Sequence, residues 1–405
     1  MSGTPLRVVV VGLGAMGSAT AFQLARRGAA VTGLEAYGPA HNRGSSHGES
    51  RIIRQAYFEG PAYVPLVLRA YQLWRELEFL SKERLLETTG GVMIGSPHGE
   101  VVTGSLESAR LWDIPHRLLT AAEVEREFPA LHPQPDQVGL VEPEAGVLAP
   151  ELAVLVHLRQ AATFGAELHF GEKVIDWEAA DSGVVVRTQS REYQADRLVL
   201  TAGAWSAGLL RLPELDLQVE RQVMLWFAPT DIKLFTPPLC PIYLFERFDG
   251  THYYGVPTRD GRTAKVARHH GGECTSADDV RRGVTEADVA GLREGLTEGV
   301  PELAGAPLAK SATCLYTNSP DHNFVVELHP SHPQVALAAG FSGHGFKFCP
   351  VLGEALADLA ELGETAHPIG DFNSSRFKDH QSGGKGISGS GGTPTPRSDI
   401  TSPIK

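Results

Sequence analysis

The stretch Leu6–Ala36, LRVVVVGLGAMGSATAFQLARRGAAVTGLEA, constrains the fold more than any other part of the chain. Val8 to Val11 is an unbroken β-branched run, the pattern of a strand buried on both faces rather than one. Gly12, Gly14 and Gly17 follow as GxGxxG. Ala15 to Arg27 then reads as a helix with Ala19, Phe22 and Ala25 inward and Arg26 outward, stopped by Gly28. Ala30 to Leu34 is a second strand finishing at Glu35. A glycine motif alone is weak. Set between a strand and a helix, with an acid about twenty residues on, it reads as a dinucleotide cradle. The glycines let the backbone approach a pyrophosphate, the helix N-terminus favours its charge, and Glu35 accepts from ribose hydroxyls. The motif does not choose between nicotinamide and flavin dinucleotides.

The chain has 405 residues, enough for one large α/β unit with an insertion or for two or three domains. A net charge of −12 argues against a general nucleic-acid or anionic-membrane binder. The N-terminus carries no apolar stretch followed by a small-residue cleavage site, and no run is long enough to span a bilayer, so a cytoplasmic location is expected. Amphipathic helices are expected over Tyr63–Glu78, Ser105–Leu111, Ala121–Phe128 and Pro150–Gly165, with EREFPAL as a lid or edge element. Strands are expected at GGVMIG (90–95), AELHF, KVIDWEAADSGVVVRTQ with a hairpin at Asp181-Ser182-Gly183, and LVLTAGAW, which returns to the dinucleotide unit. From about Leu217 the pattern turns antiparallel, interrupted by a helix over Glu286–Glu298. GFKFCPVLGEALADLAEL is the last ordered helix. The cofactor elements therefore fall in three pieces, near 1–85, 145–215 and 320–372, and 86–144 with 216–319 form a second domain over them. Residues 378–405, rich in Gly, Ser, Thr and Pro, read as a disordered tail.

Four stretches carry chemistry. GSSHGESRIIRQAYFEG (Gly44–Gly60) opens with small polar residues, and its Arg51 and Arg54 would share a face on a helix. Two such charges suit an anion, a carboxylate or an electron-rich ring, or else a solvated basic face. GFSGHGFKF (Gly340–Phe348) has three glycines for close backbone approach and a helix start that stabilises negative charge. Its Lys347 sits between two phenylalanines, where it either meets an anion or snorkels to the surface. HYYGVPTRDGRTAKVARHH reads as a hairpin centred on Asp260-Gly261. That centre sets Lys265 opposite Val256 and Ala267 opposite Tyr254, so Tyr254, Lys265 and His269 share a face. The fourth stretch, KSATCLYTNSPD, holds Cys314. The four cysteines, Cys240, Cys274, Cys314 and Cys349, are far apart with no CxxC pair, which argues against structural zinc and a disulfide framework. A lone cysteine in such a run is ordinarily a small buried hydrophobe.

GSSHGESRIIRQAY, CLYTNSPD and GFSGHGFKF, in this order after an N-terminal GxGxxG, resemble the monomeric sarcosine oxidase and N-methyl-tryptophan oxidase family of flavoproteins, from about Val8 to Phe377. The resemblance implies a Rossmann-like FAD-binding domain with an inserted antiparallel-sheet α+β substrate domain. It implies FAD tethered as a thioether through Cys314. Candidate cofactor-binding residues are Gly12, Gly14, Gly17, Glu35, His47, Arg51, Gly343, His344, Gly345 and Lys347. It implies Lys265 as the dioxygen-activating cation, Arg54 and Lys347 as substrate-carboxylate ligands, and Arg51, Tyr254 and His269 as further catalytic residues. The chain departs from the family around Leu244–Phe248 (LFERF), in the substrate-pocket lining. The implied reaction is oxidation of an N-methyl amino acid, most simply sarcosine, to a primary amino acid, formaldehyde and hydrogen peroxide, by a monomer. N-methyl-tryptophan, pipecolate and fructosyl-amino-acid oxidases are alternatives within the family. A nicotinamide dehydrogenase is disfavoured by Cys314 and the SGHG turn. A non-oxidase FAD subunit is disfavoured by Lys265.

Overall fold

The computed structural model describes residues 4–180 and 183–380. Its first sheet has six strands in the order Val325–His329, His332–Ala339, Arg197–Leu200, Arg7–Val11, Ala30–Glu35 and Glu167–Phe170, all parallel except the antiparallel edge strand Val325–His329. The valine run is central and buried, as its composition requires. The chain leaves it through the glycine turn into the helix Ala15–Arg26, which packs against Pro150–Thr163 and Cys349–Leu362. Gly17 makes the turn possible: a Cβ there would lie 1.8 Å from the Gly12 carbonyl oxygen. Strands from three distant stretches of chain thus form one layer, covered on one face by helices and on the other by the small sheet Val174–Ala180, Gly183–Thr188 and Glu192–Ala195 around buried Trp177. Ala180 pairs with Gly183, and the intervening Asp181 and Ser182 lie outside the described residues.

The second large sheet has nine strands. Along it run Glu273–Thr275, Gln218–Phe227, Ala264–His269, His252–Val256, Ile242–Glu246, Gly91–Gly95, Val138–Glu142 and Arg117–Thr120, with Leu308–Asn318 also paired to Gln218–Phe227. Val256 pairs with Lys265 and Tyr254 with Ala267, the register expected from the hairpin centre. The connection is a seven-residue loop rather than a tight turn. Asp260 holds it by accepting from the backbone N–H groups of Arg262 and Thr263, each at 2.8 Å. Among the described residues no helix is long and apolar enough to cross a membrane.

Several expectations need correction. Arg51–Ile53 is a strand, not a helix, because Ile52 and Ile53 pair with Val147 and Gly146, so Arg51 and Arg54 share no helical face. EREFPAL is no lid: Phe128, Ala130 and Leu131 are buried in the core beneath the nine-stranded sheet. The glycine-rich turn leads first into a short 3-10 turn, Phe346–Phe348, and the last helix starts at Cys349. The third helix begins at Glu100, not Ser105, because the buried Glu246 carboxylate accepts from the free N–H groups of Glu100 and Val101. Of the expected tail, residues 378–380 close a 3-10 stretch, and 381–405 lie outside the described residues.

Candidate active site

A cleft enclosing about 1390 Å³ of space, the open solvent at its mouth included, runs along the C-terminal ends of the parallel strands. Ligands of open α/β sheets bind at that edge. Gly12, Gly14 and Glu35 line it together with Thr201–Trp205 and Ser45, and Arg51, Cys314, Gly343 and Gly345 line its far end. Glu35 is fixed by accepting from Leu13 N–H at 2.8 Å and Tyr37 N–H at 3.0 Å. Thr317 Oγ1, on a residue of the same lining, is buried with no hydrogen-bond partner among the described residues. The glycine cradle, the helix N-terminus and the acid at one end fit the pyrophosphate and ribose of a dinucleotide. The sulfur at the other end fits a reactive ring.

Cys314 lies on the Leu308–Asn318 strand opposite Gln222 and is a buried free thiol. Arg51 Nη2 lies 3.4 Å from its sulfur and donates to Ser45 O at 2.6 Å. Gly343 has φ +80°, and a Cβ there would strike the Tyr316 ring at 2.2 Å, so only glycine lets this turn close on the strand bearing Cys314. Behind Arg51, Lys265 is buried and donates to Gly48 O at 2.8 Å, Ser50 O at 3.0 Å and Ser50 Oγ at 3.2 Å. Burial, and then the charge of Arg51, hold its ammonium well below the usual lysine pKa.

A second cavity, about 650 Å³, opens from that far end and shares Arg51, Cys314, Tyr316, Gly343 and Phe346 with the first. Ile52, Met224 and Leu244 add apolar walls, and Arg54, Glu59, Tyr254, His269, His344 and Lys347 add polar ones. His269 Nδ1 lies 3.2 Å from Tyr316 Oη. Burial, reinforced by His270, holds His269 well below the usual imidazole range, so the ring is neutral at pH 7. At the opposite wall Arg54 Nη2 meets Glu59 at 2.5 Å, and its Nη1 donates to Ala56 O at 3.0 Å. Lys347 Nζ donates to His344 O at 2.7 Å and to Tyr57 Oη at 3.2 Å. Burial, and then Arg54, push its pKa down to about 7.

The fold therefore gathers Arg51, Arg54, Tyr254, His269, Cys314, Gly343, His344 and Lys347 around two joined cavities, although they come from four separate stretches of chain. Gly17, His47 and Lys265 line neither. Gly17 shapes the turn. His47 is buried, its Nε2 has no hydrogen-bond partner among the described residues, and desolvation and then Arg51 lower its pKa to about 4. Of LFERF only Leu244 reaches the cavity, on the face it shares with its partner Tyr254. Phe245 packs into the core and Phe248 is exposed. The sequence reading passed over Tyr57, Glu59, Gln222 and Tyr316. Tyr57 and Glu59 stand in the quoted run RQAYFEG, and a carboxylate five residues after Arg54 was the available signal.

The model of the family described as FAD dependent oxidoreductase matches residues 7–359. A monomeric sarcosine oxidase of Streptomyces avermitilis is 48% identical over 91% of this chain and 97% of its own length. An N-methyl-L-tryptophan oxidase of Salmonella dublin is 34% identical over 91% and 98%. Among solved structures, an L-proline dehydrogenase from P. horikoshii superposes with a TM-score of 0.79 over 93% of this chain and 98% of that one, at 21% identity, a likeness of fold. With a glycine cradle at one end of its cavities and a sulfur beside an arginine at the junction, the chain belongs to the FAD dependent oxidoreductases, among the monomeric sarcosine oxidases and N-methyl-L-tryptophan oxidases.

Proposed function

We propose that this protein oxidises an N-methyl amino acid of the sarcosine type, consuming dioxygen and water and giving the primary amino acid, formaldehyde and hydrogen peroxide. The observation that carries this reading is the junction: the cavity that holds the glycine cradle meets a second one at Arg51, Cys314, Tyr316, Gly343 and Phe346, and the second one is also lined by Arg54 and Lys347. The six-stranded sheet, drawn from near 1–85, 145–215 and 320–372, is the FAD side. The stretches 86–144 and 216–319 are the substrate side.

FAD would be held by Gly12 and Gly14 of the glycine turn, with Glu35 for its ribose and Cys314 for its tether, and would supply the two-electron acceptor. The chain does the rest. Arg54 and Lys347 take the substrate carboxylate, a fork plus a point charge, once Glu59 has left Arg54. That anchors the N-methyl end toward the junction. Tyr254, His269 and Tyr316 wall that end, and Ile52, Met224, Leu244 and Phe346 exclude water around it. A neutral His269 ring can accept the amine proton that must leave before the C–H bond is broken. Lys265, set behind Arg51, offers a fixed cation to dioxygen as it gains charge. Peroxide release is the test, measured over sarcosine, N-methyl-tryptophan, pipecolate and fructosyl-amino acids. Peroxide from an N-methyl amino acid supports the reading, and its absence from all four rejects it.

A further inference from the structure

We infer that Tyr57 is the positioning residue of the carboxylate seat: its hydroxyl decides which N–H of Lys347 is left for a ligand, and its ring carries the Arg54 guanidinium. This rests on the proposal that Arg54 and Lys347 hold the substrate carboxylate.

Tyr57 is fully buried beside Tyr63 and Phe348, which by itself would make it a core aromatic. Its hydroxyl, however, sits in a chain of hydrogen bonds whose direction can be fixed. His344 Nε2 is 3.1 Å from the His322 carbonyl, which can only accept, so Nε2 carries the hydrogen. Burial pushes the His344 pKa down to about 4, so the ring is neutral and Nδ1 is bare. The Tyr57 hydroxyl, 2.7 Å away, therefore donates to Nδ1. Its oxygen is left to accept from Lys347 Nζ at 3.2 Å. A second Lys347 N–H goes to His344 O at 2.7 Å. An ammonium has three donors, and among the described residues Nζ has these two acceptors, so one N–H remains for the cavity.

The ring does the second half of the work. The Arg54 guanidinium carbon lies 4.4 Å from the Tyr57 ring centroid, and Lys347 Nζ lies 5.0 Å from the same centroid. Two like charges are thus held against one electron-rich surface. The backbone under the ring is pinned on both sides. Glu142 accepts from Gln55 N–H at 2.6 Å and Ala56 N–H at 2.8 Å, and Ser108 Oγ donates to Tyr57 O at 2.6 Å.

Tyr57→Phe separates this role from packing, since it keeps the ring and removes the hydroxyl. The Lys347 ammonium then loses an acceptor and gives up its proton at lower pH. The probe is butanoate, which has the length of sarcosine with CH₂ in place of NH and cannot be demethylated. Its binding to the holoenzyme is followed by the flavin spectrum across roughly pH 5 to 9. The charged or titratable groups around the seat are Arg54 and Glu59 from the loop, Glu142 beneath that loop, His344 from the same turn as Lys347, and His269 across the cavity. Glu59, at about 2, His344, at about 4, and His269, held well below its usual value, titrate below the fall assigned to Lys347 at about 7, whereas burial raises Glu142 to about 7 as well, so Lys347→Met is the variant that separates those two. In wild type, butanoate affinity should fall as pH rises through about 7. In Tyr57→Phe that fall should move to lower pH, the plateau should weaken about three- to tenfold, and KM for the amine should change more than kcat. In Lys347→Met the profile should be weak and flat. If Tyr57→Phe superimposes on wild type while Lys347→Met is flat, Tyr57 only packs and the inference is overturned with the seat intact. If Lys347→Met itself leaves the profile unchanged, the seat is misassigned and both readings fall together.

Discussion

Glu59 sits on Arg54 at 2.5 Å, so a carboxylate of the chain itself occupies the guanidinium that faces the smaller cavity. The pair works against its own burial. Desolvation would raise the Glu59 pKa, but Arg54, with His344 and Lys347, pulls it down to about 2, so it stays ionised at every working pH. A substrate carboxylate must displace it. Glu59→Gln weakens this internal competitor, and a net interaction of about 1 kcal/mol makes butanoate bind about fivefold more tightly. Titration of the flavin spectrum measures it. Weaker binding in the variant would make Glu59 part of the ligand site rather than its occupant.

The tether is tested more directly. Cys314 is a buried free thiol at the cavity junction, in contact with Arg51. Wild-type protein precipitated with acid should keep its yellow colour in the pellet, and Cys314→Ala should release it to the supernatant. Colour that leaves the wild-type pellet rejects attachment.

The seat predicts a pH dependence whose sign follows from Lys347. Its pKa is lowered from 10.5 to about 7, so the ammonium is charged below that value and neutral above it. A carboxylate needs the charged form, so KM for the amine should rise as pH increases through about 7 and should stay high and flat in Lys347→Met. Losing one charge-assisted contact should raise KM by a factor corresponding to roughly 2–4 kcal/mol, with flavin content unchanged. The same shift bears on stability. Between about 7 and 10.5 the unfolded chain binds more protons at this position than the folded one, so the cost of burying Lys347 eases as pH rises through that window.

The dinucleotide unit was legible because local chemistry dictates it: a valine run, a glycine turn and an acid lie within one short stretch. The hairpin register was legible for a similar reason, since its centre lies close to both strands and a period of two leaves no freedom. What could not be read was which side chains meet across long separations. Arg51 and Arg54 looked like one helical face, yet the partner that makes Arg51 extended, Leu148, lies far along the chain. Glu246 looked like part of a pocket wall, yet it turns away to satisfy a helix N-terminus in another stretch. Tyr57 lies inside a motif that was singled out, but its hydroxyl acquires meaning only beside His344 and Lys347, far along the chain.

Lys265 supplies the last prediction. Its Nζ is held by Gly48 O, Ser50 O and Ser50 Oγ, directly behind Arg51, and it lines neither cavity. A charge so placed cannot grip substrate, but its field reaches Arg51 and Cys314. Dioxygen is neutral and gains charge only as it accepts an electron, so a fixed cation favours that transition state and hardly touches amine binding. Lys265→Met keeps length and apolar bulk and deletes the charge. Reaction of the reduced enzyme with dioxygen should slow by roughly 100- to 1,000-fold, whereas anaerobic reduction by the amine should stay within about tenfold of wild type. The variant also removes one of the two donors that Gly48 O and Ser50 O each have, leaving them Ser50 N–H and Arg51 Nη1 respectively, so its melting temperature should drop modestly while flavin remains bound. Stopped-flow mixing separates the half-reactions: enzyme with amine in the absence of oxygen, then reduced enzyme with oxygen. If reduction slows and reaction with dioxygen does not, Lys265 serves the substrate cavity through Arg51, and the cation that activates dioxygen lies elsewhere.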